Sequence, residues 1–248
     1  LTGTGTAIAG TDYSFPSSIT ISAGATTGTG VFNPTDDSIY DAATSETATI
    51  SISSVSGGGA VENGNQSRTI TITDSETAPT VSLASSASSV AENGSALTLT
   101  ATLSTSTYSD VTITLSGSGA ATAGTDYASL STITISAGGT TGTTAFTPND
   151  DTTYEGSEAA VIDIMGIAGG SATENGTQQV SITITDNEST PTVTLASSAS
   201  SITEGGSAAT LTATLSVATT ANVTVPLNTS GTATEGSDYS AVSDITIT

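Results

Sequence analysis

Leu97-Thr98-Leu99-Thr100-Ala101-Thr102-Leu103 places an apolar residue at every second position, with threonine between. In an extended chain successive side chains point to opposite faces, so the apolar side chains of this stretch share one face and the hydroxyls the other. The same alternation occurs near 111–115, 133–135 and 182–184. Threonine and isoleucine favour strands, and no stretch shows the helical period of about 3.6 residues. The sequence therefore predicts an all-β protein.

Short motifs recur along the chain with one period. Gly10-Thr11-Asp12-Tyr13 returns as Gly124-Thr125-Asp126-Tyr127 and as Gly236-Ser237-Asp238-Tyr239, at offsets of 114 and 112 residues. The two-residue difference in length falls between Asp41 and Glu46. Shared spacing of this kind indicates tandem structural units. We therefore divide the chain into a first, a middle and a third repeat, covering residues 1–76, 77–188 and 189–248.

The middle repeat is expected to be a complete domain. Its alternating runs predict seven strands, near 80–84, 96–104, 110–116, 131–136, 142–147, 158–167 and 179–186. Seven short strands in such a unit are typical of a Greek-key sandwich. The predicted fold is thus a series of tandem seven-stranded antiparallel, immunoglobulin-like β-sandwiches. Tyr127 and Tyr154 are expected to be structural. The stretches Val61-Glu62-Asn63-Gly64 and Thr173-Glu174-Asn175-Gly176 are expected to form hairpin turns.

The two outer repeats are partial by alignment with the middle one. Leu1 aligns with Leu115, so the first repeat lacks its opening strands, and Thr248 aligns with Ser136, so the third lacks its closing strands. Either the array continues in the same chain, or another copy completes each partial sandwich in a fibre. The two pieces overlap over positions equivalent to 115–136, which would duplicate a strand in an exchange. We therefore favour a segment of a longer tandem array.

The composition excludes several classes of protein. The chain carries 23 acidic residues and a single basic one, Arg68, for a formal charge of −22. Nucleic acids and anionic membrane surfaces bind basic patches, so neither is an expected partner. Cysteine and histidine are absent, which excludes disulfides, zinc sites of the usual type and histidine acid–base chemistry. The apolar runs are too short to span a membrane.

The acidic residues concentrate at predicted strand ends, and 15 of the 23 occupy matching positions in the repeats. Loops distant in sequence meet at one end of a Greek-key sandwich, where this many carboxylates would repel one another without a cation. Ca²⁺ takes about six to eight oxygen ligands and suits such a group. The predicted calcium ligands are Glu92, Asp126, Asp150, Asp151, Glu155, Asp186 and Glu188 in the middle repeat, Asp12, Asp36, Asp37, Asp41, Asp74 and Glu76 in the first, and Glu204 and Asp238 in the third.

Two alternatives explain the same acids. They could be ordinary turn residues and solubility charges, since aspartate favours turns. They could also be paired catalytic carboxylates, as in glycoside hydrolysis. Near-identical copies, few aromatic residues and no histidine argue against catalysis, so no enzymatic activity is expected.

The motifs of the middle repeat resemble those of the Calx-beta domain family. They are the Gly124–Tyr127 motif GTDY, ITISAG at 133–138, Phe146-x-Pro148-x-Asp150-Asp151, Tyr154-Glu155 and ITITD at 182–186. The resemblance implies a seven-stranded sandwich that binds calcium at one end, next to the following domain. It implies ligand roles for the seven carboxylates of the middle repeat and a structural role for Glu158 and Glu46. Asp41 replaces glutamate at the position of Glu155, which gives a shorter arm.

Such domains occur in regulatory loops of sodium–calcium exchangers, in integrin beta-4 and in large bacterial surface proteins. The expected function is therefore a structural calcium-binding segment of an extracellular adhesin or surface fibre, bacterial in origin, in which Ca²⁺ rigidifies the junctions between domains. Expected partners are neighbouring repeats and other copies in a fibre, without membrane insertion. The alternatives are a calcium-sensing regulatory module and a calcium-dependent ligand-binding module.

Overall fold

A computed structural model of the protein describes residues 1–41 and 45–248. These residues form 22 β-strands, and none of them belongs to a helix with the length and apolar character needed to cross a membrane. The predicted two-residue difference between Asp41 and Glu46 falls largely outside the described residues. The all-β prediction is confirmed.

The first repeat contains a three-stranded antiparallel sheet and a short hairpin. Its strands are β1 (Thr2–Gly5), β2 (Tyr13–Ser14), β3 (Asn33–Pro34), β4 (Ile39–Tyr40), β5 (Ser45–Ser51) and β6 (Ser67–Thr73). The sheet has the order β1-β5-β6, and β2 pairs with β3. Tyr13 is buried and stacks on Phe32, with ring centroids 4.7 Å apart. Ile8 and Ile21 are exposed.

The middle repeat is the complete sandwich that the sequence predicts. Its strands are β7 (Thr80–Ser85), β8 (Ser89–Ala91), β9 (Leu97–Leu103), β10 (Ser106–Thr107), β11 (Val111–Gly119), β12 (Ile133–Ile135), β13 (Thr141–Phe146), β14 (Thr153–Tyr154), β15 (Glu158–Ala168), β16 (Thr173–Glu174) and β17 (Gln179–Thr185). One sheet has the order β12-β11-β15-β17-β8 and the other β13-β9-β7-β16. All seven predicted strands are present.

Four short strands were not predicted. They are β8, β10, β14 and β16, and each pairs in parallel with a neighbour, whereas the seven longer strands pair antiparallel. None of the four has two apolar residues on either side of a polar one, so the sequence gives no alternating signal for them. The seven predicted strands pair antiparallel with one another as expected, and the four short strands add parallel pairings to them or to a neighbouring repeat.

The core of the middle repeat is built from the alternating apolar residues. Leu99, Ala101, Val111, Ile113 and Ile182 are almost completely buried between the two sheets. Burying a side chain such as leucine or isoleucine stabilises the fold by about 1.5–3 kcal/mol. The outward positions of the same strands carry threonine and serine, so that face of each sheet is polar and can contact water.

The tyrosine of the GTDY motif anchors one end of this core. Tyr127 is 1% exposed and stacks on Phe146, with ring centroids 4.9 Å apart. A β-carbon added at Gly117 would lie 2.1 Å from the Tyr127 hydroxyl oxygen, so the tyrosine requires glycine opposite it. The predicted structural role of Tyr127 fits this packing. Tyr154 is half-buried in β14.

The third repeat contains two separate strand pairs. Its strands are β18 (Val193–Ser197), β19 (Leu211–Leu215), β20 (Ala218–Thr219), β21 (Val223–Val225) and β22 (Ile245–Ile247). β18 pairs with β19, and β21 pairs with β22. Leu195 and Ile202 are exposed in this part of the chain.

Neighbouring repeats are joined by short parallel strand pairs. β4 of the first repeat pairs with β10 of the middle one, and β14 of the middle repeat pairs with β20 of the third. Both β4 and β14 follow directly on a pair of aspartates, Asp36-Asp37 and Asp150-Asp151. Each acidic loop therefore lies against the repeat that follows it.

Candidate metal centre

The parallel pairing of β8 with β17 brings Glu92 next to Asp186. Ala91 lies opposite Thr185 in this pair, and the Glu92 N–H donates to the Thr185 carbonyl at 2.9 Å. Glu92 follows Ala91 directly, and Asp186 follows Thr185 directly. Because the strands run in the same direction, both carboxylates leave the sheet at the same end.

Asp186 ties the acidic loop to the end of the last strand. Its Oδ2 accepts hydrogen bonds from the backbone N–H of Glu155 at 2.7 Å and of Gly156 at 2.6 Å. Its Oδ1 accepts the Glu188 N–H at 2.8 Å. Burial alone would raise the pKa of Asp186, but these three N–H donors together hold it below its usual value. Asp186 is therefore held ionised.

The loop that carries Asp150 and Asp151 folds over Glu92. The Asp151 Oδ1 accepts the Thr153 N–H at 2.6 Å, which tightens the loop into a turn. The Asp151 N–H donates to the Glu92 Oε1 at 3.3 Å. The Asn187 Nδ2 donates to the Asp150 Oδ1 at 3.2 Å. The acidic loop is thus tied both to Glu92 and to the residue that follows Asp186.

Two groups of three carboxylates form at this point. Glu92, Asp186 and Glu188 make one triad, and Glu92, Asp151 and Glu155 make the other; within each, one oxygen per residue lies within 4.8 Å of the others. Glu92 is 7% exposed and belongs to both. The Oε2 atom of Glu188 is buried without a hydrogen-bond donor. A buried acceptor without a donor is costly, and a divalent cation would satisfy it.

Crowding of negative charge perturbs the acids of this cluster. Burial, followed by the charge of Asp151, raises the pKa of Glu92 to about 7. Burial also raises the pKa of Glu155, with the charges of Asp126 and Asp151 adding to it. For Glu188, burial and the adjacent Asp186 raise the pKa. In the absence of a cation the cluster therefore binds protons more tightly than free carboxylates do.

These shifts predict an unusual pH dependence for the calcium-free protein. Glu92 has a higher pKa folded than unfolded, so between about pH 4.5 and 7 the folded state binds more protons and stability falls as pH rises. The lowered pKa of Asp186 acts only below its ordinary value of 3.8, outside this window. We expect the melting temperature in chelator to decrease between pH 5 and pH 8, as measured by calorimetry.

Glu92→Gln is the matched control for this pH series. The substitution removes the carboxylate whose pKa is raised to about 7, and it should flatten the slope of melting temperature against pH. A wild-type melting temperature that stays constant or increases over the same range would contradict the raised pKa of Glu92.

Asp126 lies at the edge of the cluster and has a structural task. Its Oδ2 accepts the Thr122 N–H at 2.5 Å, and equivalent bonds join Asp12 to Ile8 at 2.6 Å and Asp238 to Thr234 at 2.7 Å. These bonds close the turn that precedes the tyrosine of the motif, which is buried at Tyr13 and Tyr127. The structure thus gives the aspartate of the GTDY motif a reason to recur that does not require a metal.

Sequence reasoning placed Glu158 and Glu46 outside the candidate site. Burial and the neighbouring Asp126 raise the pKa of Glu158, and burial, Asp12 and Asp41 raise that of Glu46. Both glutamates therefore border the acidic clusters. Glu158 begins β15 directly after the acidic loop, and that position is the signal that could have found it.

The first repeat gathers its predicted acids around a cavity at its junction with the middle repeat. The Asp41 N–H donates to the Asp74 Oδ2 at 2.9 Å, which repeats the bond between Glu155 and Asp186. The Ser75 hydroxyl donates to the Asp36 Oδ1 at 2.9 Å. The cavity is lined by Asp12, Asp36, Asp37, Asp41, Glu46, Asp74, Glu76 and, from the middle repeat, Tyr108. The aligned counterpart of Glu92 would precede Leu1.

The third repeat does not assemble a comparable cluster. Glu204 and Asp238 are exposed, and neither belongs to a tight carboxylate triad among residues 1–41 and 45–248. The 150–155 loop has no counterpart in residues 189–248. The structure thus brings together the predicted ligands of the middle and first repeats. For all 15 residues, the role of calcium ligand stays a prediction.

No basic side chain offsets these charges. Arg68 is the sole lysine or arginine of the sequence, and its Nη1 donates to the Ser67 carbonyl at 2.7 Å. It lies at the start of β6, whereas Asp74 follows the end of that strand. Neutralisation of either cluster must therefore come from protons or from ions in solution.

The family model of the Calx-beta domain matches the chain three times, at residues 1–76, 74–188 and 186–246. The chain belongs to the Calx-beta family. The matches overlap around 74–76 and 186–188, so the boundaries placed after 76 and 188 stay predictions. In this tandem of Calx-beta domains, neighbouring domains contact each other through the parallel strand pairs.

Solved Calx domains are similar to parts of this chain. The apo form of the Calx CBD1 domain matches at 16% identity and a TM-score of 0.38, covering 44% of this chain and 98% of that one. The CBD12 structure from CALX1.2 matches at 16% identity and a TM-score of 0.37, covering 42% and 44%. The calcium binding domain CBD12 of CALX1.1 matches at 11% identity and a TM-score of 0.37, covering 54% and 69%. A search of curated protein sequences gives no significant match.

Proposed function

We propose that this chain is a structural, non-catalytic segment that binds calcium at the junctions between its Calx-beta domains. Glu92 carries the proposal. Its carboxylate is buried among Asp151, Glu155, Asp186 and Glu188, and the sequence offers no base that could pair with it. Hard divalent cations with oxygen ligands suit this donor set, and Ca²⁺ tolerates its irregular geometry best.

Calcium at this position would strengthen the junction. The Asp151 loop continues into β14, which pairs with β20 of the next repeat. A cation held by Asp151 and Glu155 on one side and by Asp186 and Glu188 on the other would fix the loop against the start of the linker. The angle between domains would then vary less than in the metal-free protein.

An extracellular fibre or adhesin, of bacterial origin, is the setting that we propose. Tandem domains with short connections build extended rods, and outside cells calcium is abundant enough to occupy sites with dissociation constants of about 0.1–1 mM. The formal charge of −22 also keeps such rods apart in solution. Neighbouring repeats and further copies of the fibre are the partners in this proposal.

Isothermal titration of the full chain with calcium tests the binding. Glu92→Gln removes a negative charge and one carboxylate oxygen from both triads, and should weaken binding at the middle repeat about tenfold or more, equal to about 1.4 kcal/mol. Glu174→Gln is the matched control, because Glu174 bonds the Gln178 N–H in a turn of the same repeat and lies in neither triad. Equal affinities for the two variants would reject Glu92 as a ligand.

X-ray scattering separates the structural role from the sensing role. A structural junction should keep the same extended shape with calcium and show a broader distribution of angles in chelator. A calcium-driven change to a different, well-defined shape would favour the regulatory module instead.

A further inference from the structure

The two junctions share their backbone geometry but differ in their side chains. In the first junction Ser106 and Thr107 of β10 pair with Ile39 and Tyr40 of β4. In the second, Ala218 and Thr219 of β20 occupy the same positions beside β14. Thr107 and Thr219 each turn their hydroxyl to a carbonyl two residues further on, at 2.6 and 2.7 Å. The strand pairing and the threonine hydrogen bond are therefore the same in both junctions.

The residue that follows β10 in the first junction differs from the residue that follows β20 in the second. Tyr108 follows β10, and its hydroxyl donates to the Asp37 Oδ2 at 2.6 Å, across the junction. Thr220 follows β20 at the equivalent position, and its side chain is shorter by a whole ring. Ser106 adds a longer bond from its hydroxyl to the Ser38 carbonyl at 3.4 Å, whereas Ala218 has no hydroxyl.

Both oxygens of Asp37 are consequently engaged. Oδ1 accepts the Ile39 N–H of its own loop at 2.8 Å, and Oδ2 accepts the Tyr108 hydroxyl of the next repeat. The corresponding Asp151 receives only the bond from its own loop, the Thr153 N–H, among the side-chain bonds of the described residues. A short hydrogen bond to a charged group is among the stronger ones in proteins, so Tyr108 fixes the orientation of Asp37.

Tyr108 also lies in the acidic cavity itself. Its side chain lines the same cavity as Asp12, Asp36, Asp41 and Asp74, although it belongs to the next repeat. The acidic group of the first repeat is therefore incomplete without the middle one. The group around Glu92 is completed by its own repeat, since all its members lie between residues 92 and 188.

We propose that Tyr108 is a positioning residue that couples cation binding in the first repeat to the alignment of the middle repeat, and that the second junction lacks this coupling. The proposal rests on calcium binding as the function of these clusters. By holding Asp37 in place before a cation arrives, Tyr108 reduces the ordering that binding requires. In return, a bound cation fixes Asp37 and with it the contact to the next repeat.

Calcium titration of the full chain in a Glu92→Gln background tests the coupling, because that substitution weakens the middle-repeat site and leaves the first junction to be measured. Tyr108→Phe removes only the hydroxyl and keeps the ring. We expect it to weaken calcium binding at the first junction about fivefold, equal to about 1 kcal/mol, which is the net contribution of a typical hydrogen bond. Hydrogen exchange in chelator should also become faster at residues 39–41 and 106–108, while 153–155 and 218–220 stay unchanged.

Thr220→Tyr in the otherwise wild-type chain is the reciprocal variant. It places a phenol beside Asp151 and should strengthen calcium binding at the second junction, a gain that a merely structural loss of stability would not produce. Unchanged affinity at the first junction in Tyr108→Phe would overturn the coupling and leave the calcium function intact. A wild-type chain that binds no calcium would reject the proposed function, and the coupling with it.

Discussion

Calcium should raise the melting temperature of the full chain by roughly 10 °C when it is present at about a thousand times its dissociation constant. At that excess, binding to the folded state alone contributes about 4 kcal/mol, and about 2–4 °C per kcal/mol is typical for chains of this size. The physical reason is the metal-free state: Glu92 is buried among four other carboxylates, and the Glu188 Oε2 has no donor. Differential scanning calorimetry with calcium and with chelator measures the effect.

Glu92→Gln makes the calorimetric experiment specific. In chelator the variant should melt at the wild-type temperature or above it, because a buried charge has been removed. Calcium should raise the melting temperature of the variant by less than it raises that of the wild type. Magnesium is a useful comparison ion, since it demands near-ideal octahedral geometry that two irregular triads do not offer. An identical melting curve for the wild type in calcium and in chelator would refute the calcium proposal.

Phe146→Ala should lower the unfolding free energy of the middle repeat by about 3–5 kcal/mol, as buried aromatic-to-alanine substitutions do. Phe146 is fully buried and stacks on Tyr127 at 4.9 Å. This core holds no other phenylalanine and no tryptophan, so its small neighbours cannot fill the space that the ring leaves. Urea denaturation should show a lower midpoint with a similar slope for the middle repeat.

Met165→Ala provides the control for this substitution. Met165 lies in β15 of the same repeat and is 67% exposed, so its truncation should change stability by less than about 0.5 kcal/mol. If Phe146→Ala lowers the unfolding free energy as little as the control does, the two sheets must close over the space that the ring leaves.

The fold was predictable because one rule applies along most of the chain. Alternation of apolar residues with threonine located all seven main strands of the middle repeat, and Leu99 and Ile113 are buried as that pattern requires. The rule fails for the four short strands that contain no such alternation. β8 is the instructive case: its pairing with β17 is set by the packing of the complete sandwich, and it is this pairing that carries Glu92 to the site.

The sequence predicted that these acidic residues lie close together, but it did not predict their geometry. The positions of the acids at predicted strand ends indicated that acids from four loops lie close together. They did not indicate which acid is most buried or which accepts the most hydrogen bonds. Glu92 emerges as the shared member of two triads through burial, and Asp186 as the residue that accepts three backbone N–H bonds. Tyr108 was missed because its contact with Asp37 crosses from one repeat to the next. No periodicity within a repeat reports such a contact.

Glu92 belongs to both carboxylate triads, and the total charge of these triads bears on how many cations would balance them. Glu92, Asp151, Glu155, Asp186 and Glu188 carry five negative charges when all are ionised. One divalent cation leaves three of these charges uncompensated, whereas a pair of such cations leaves one. A single carboxylate that faces both ions would also screen their mutual repulsion. If this cluster binds calcium as we propose, its charge balance favours two ions, with Glu92 as the ligand that bridges them.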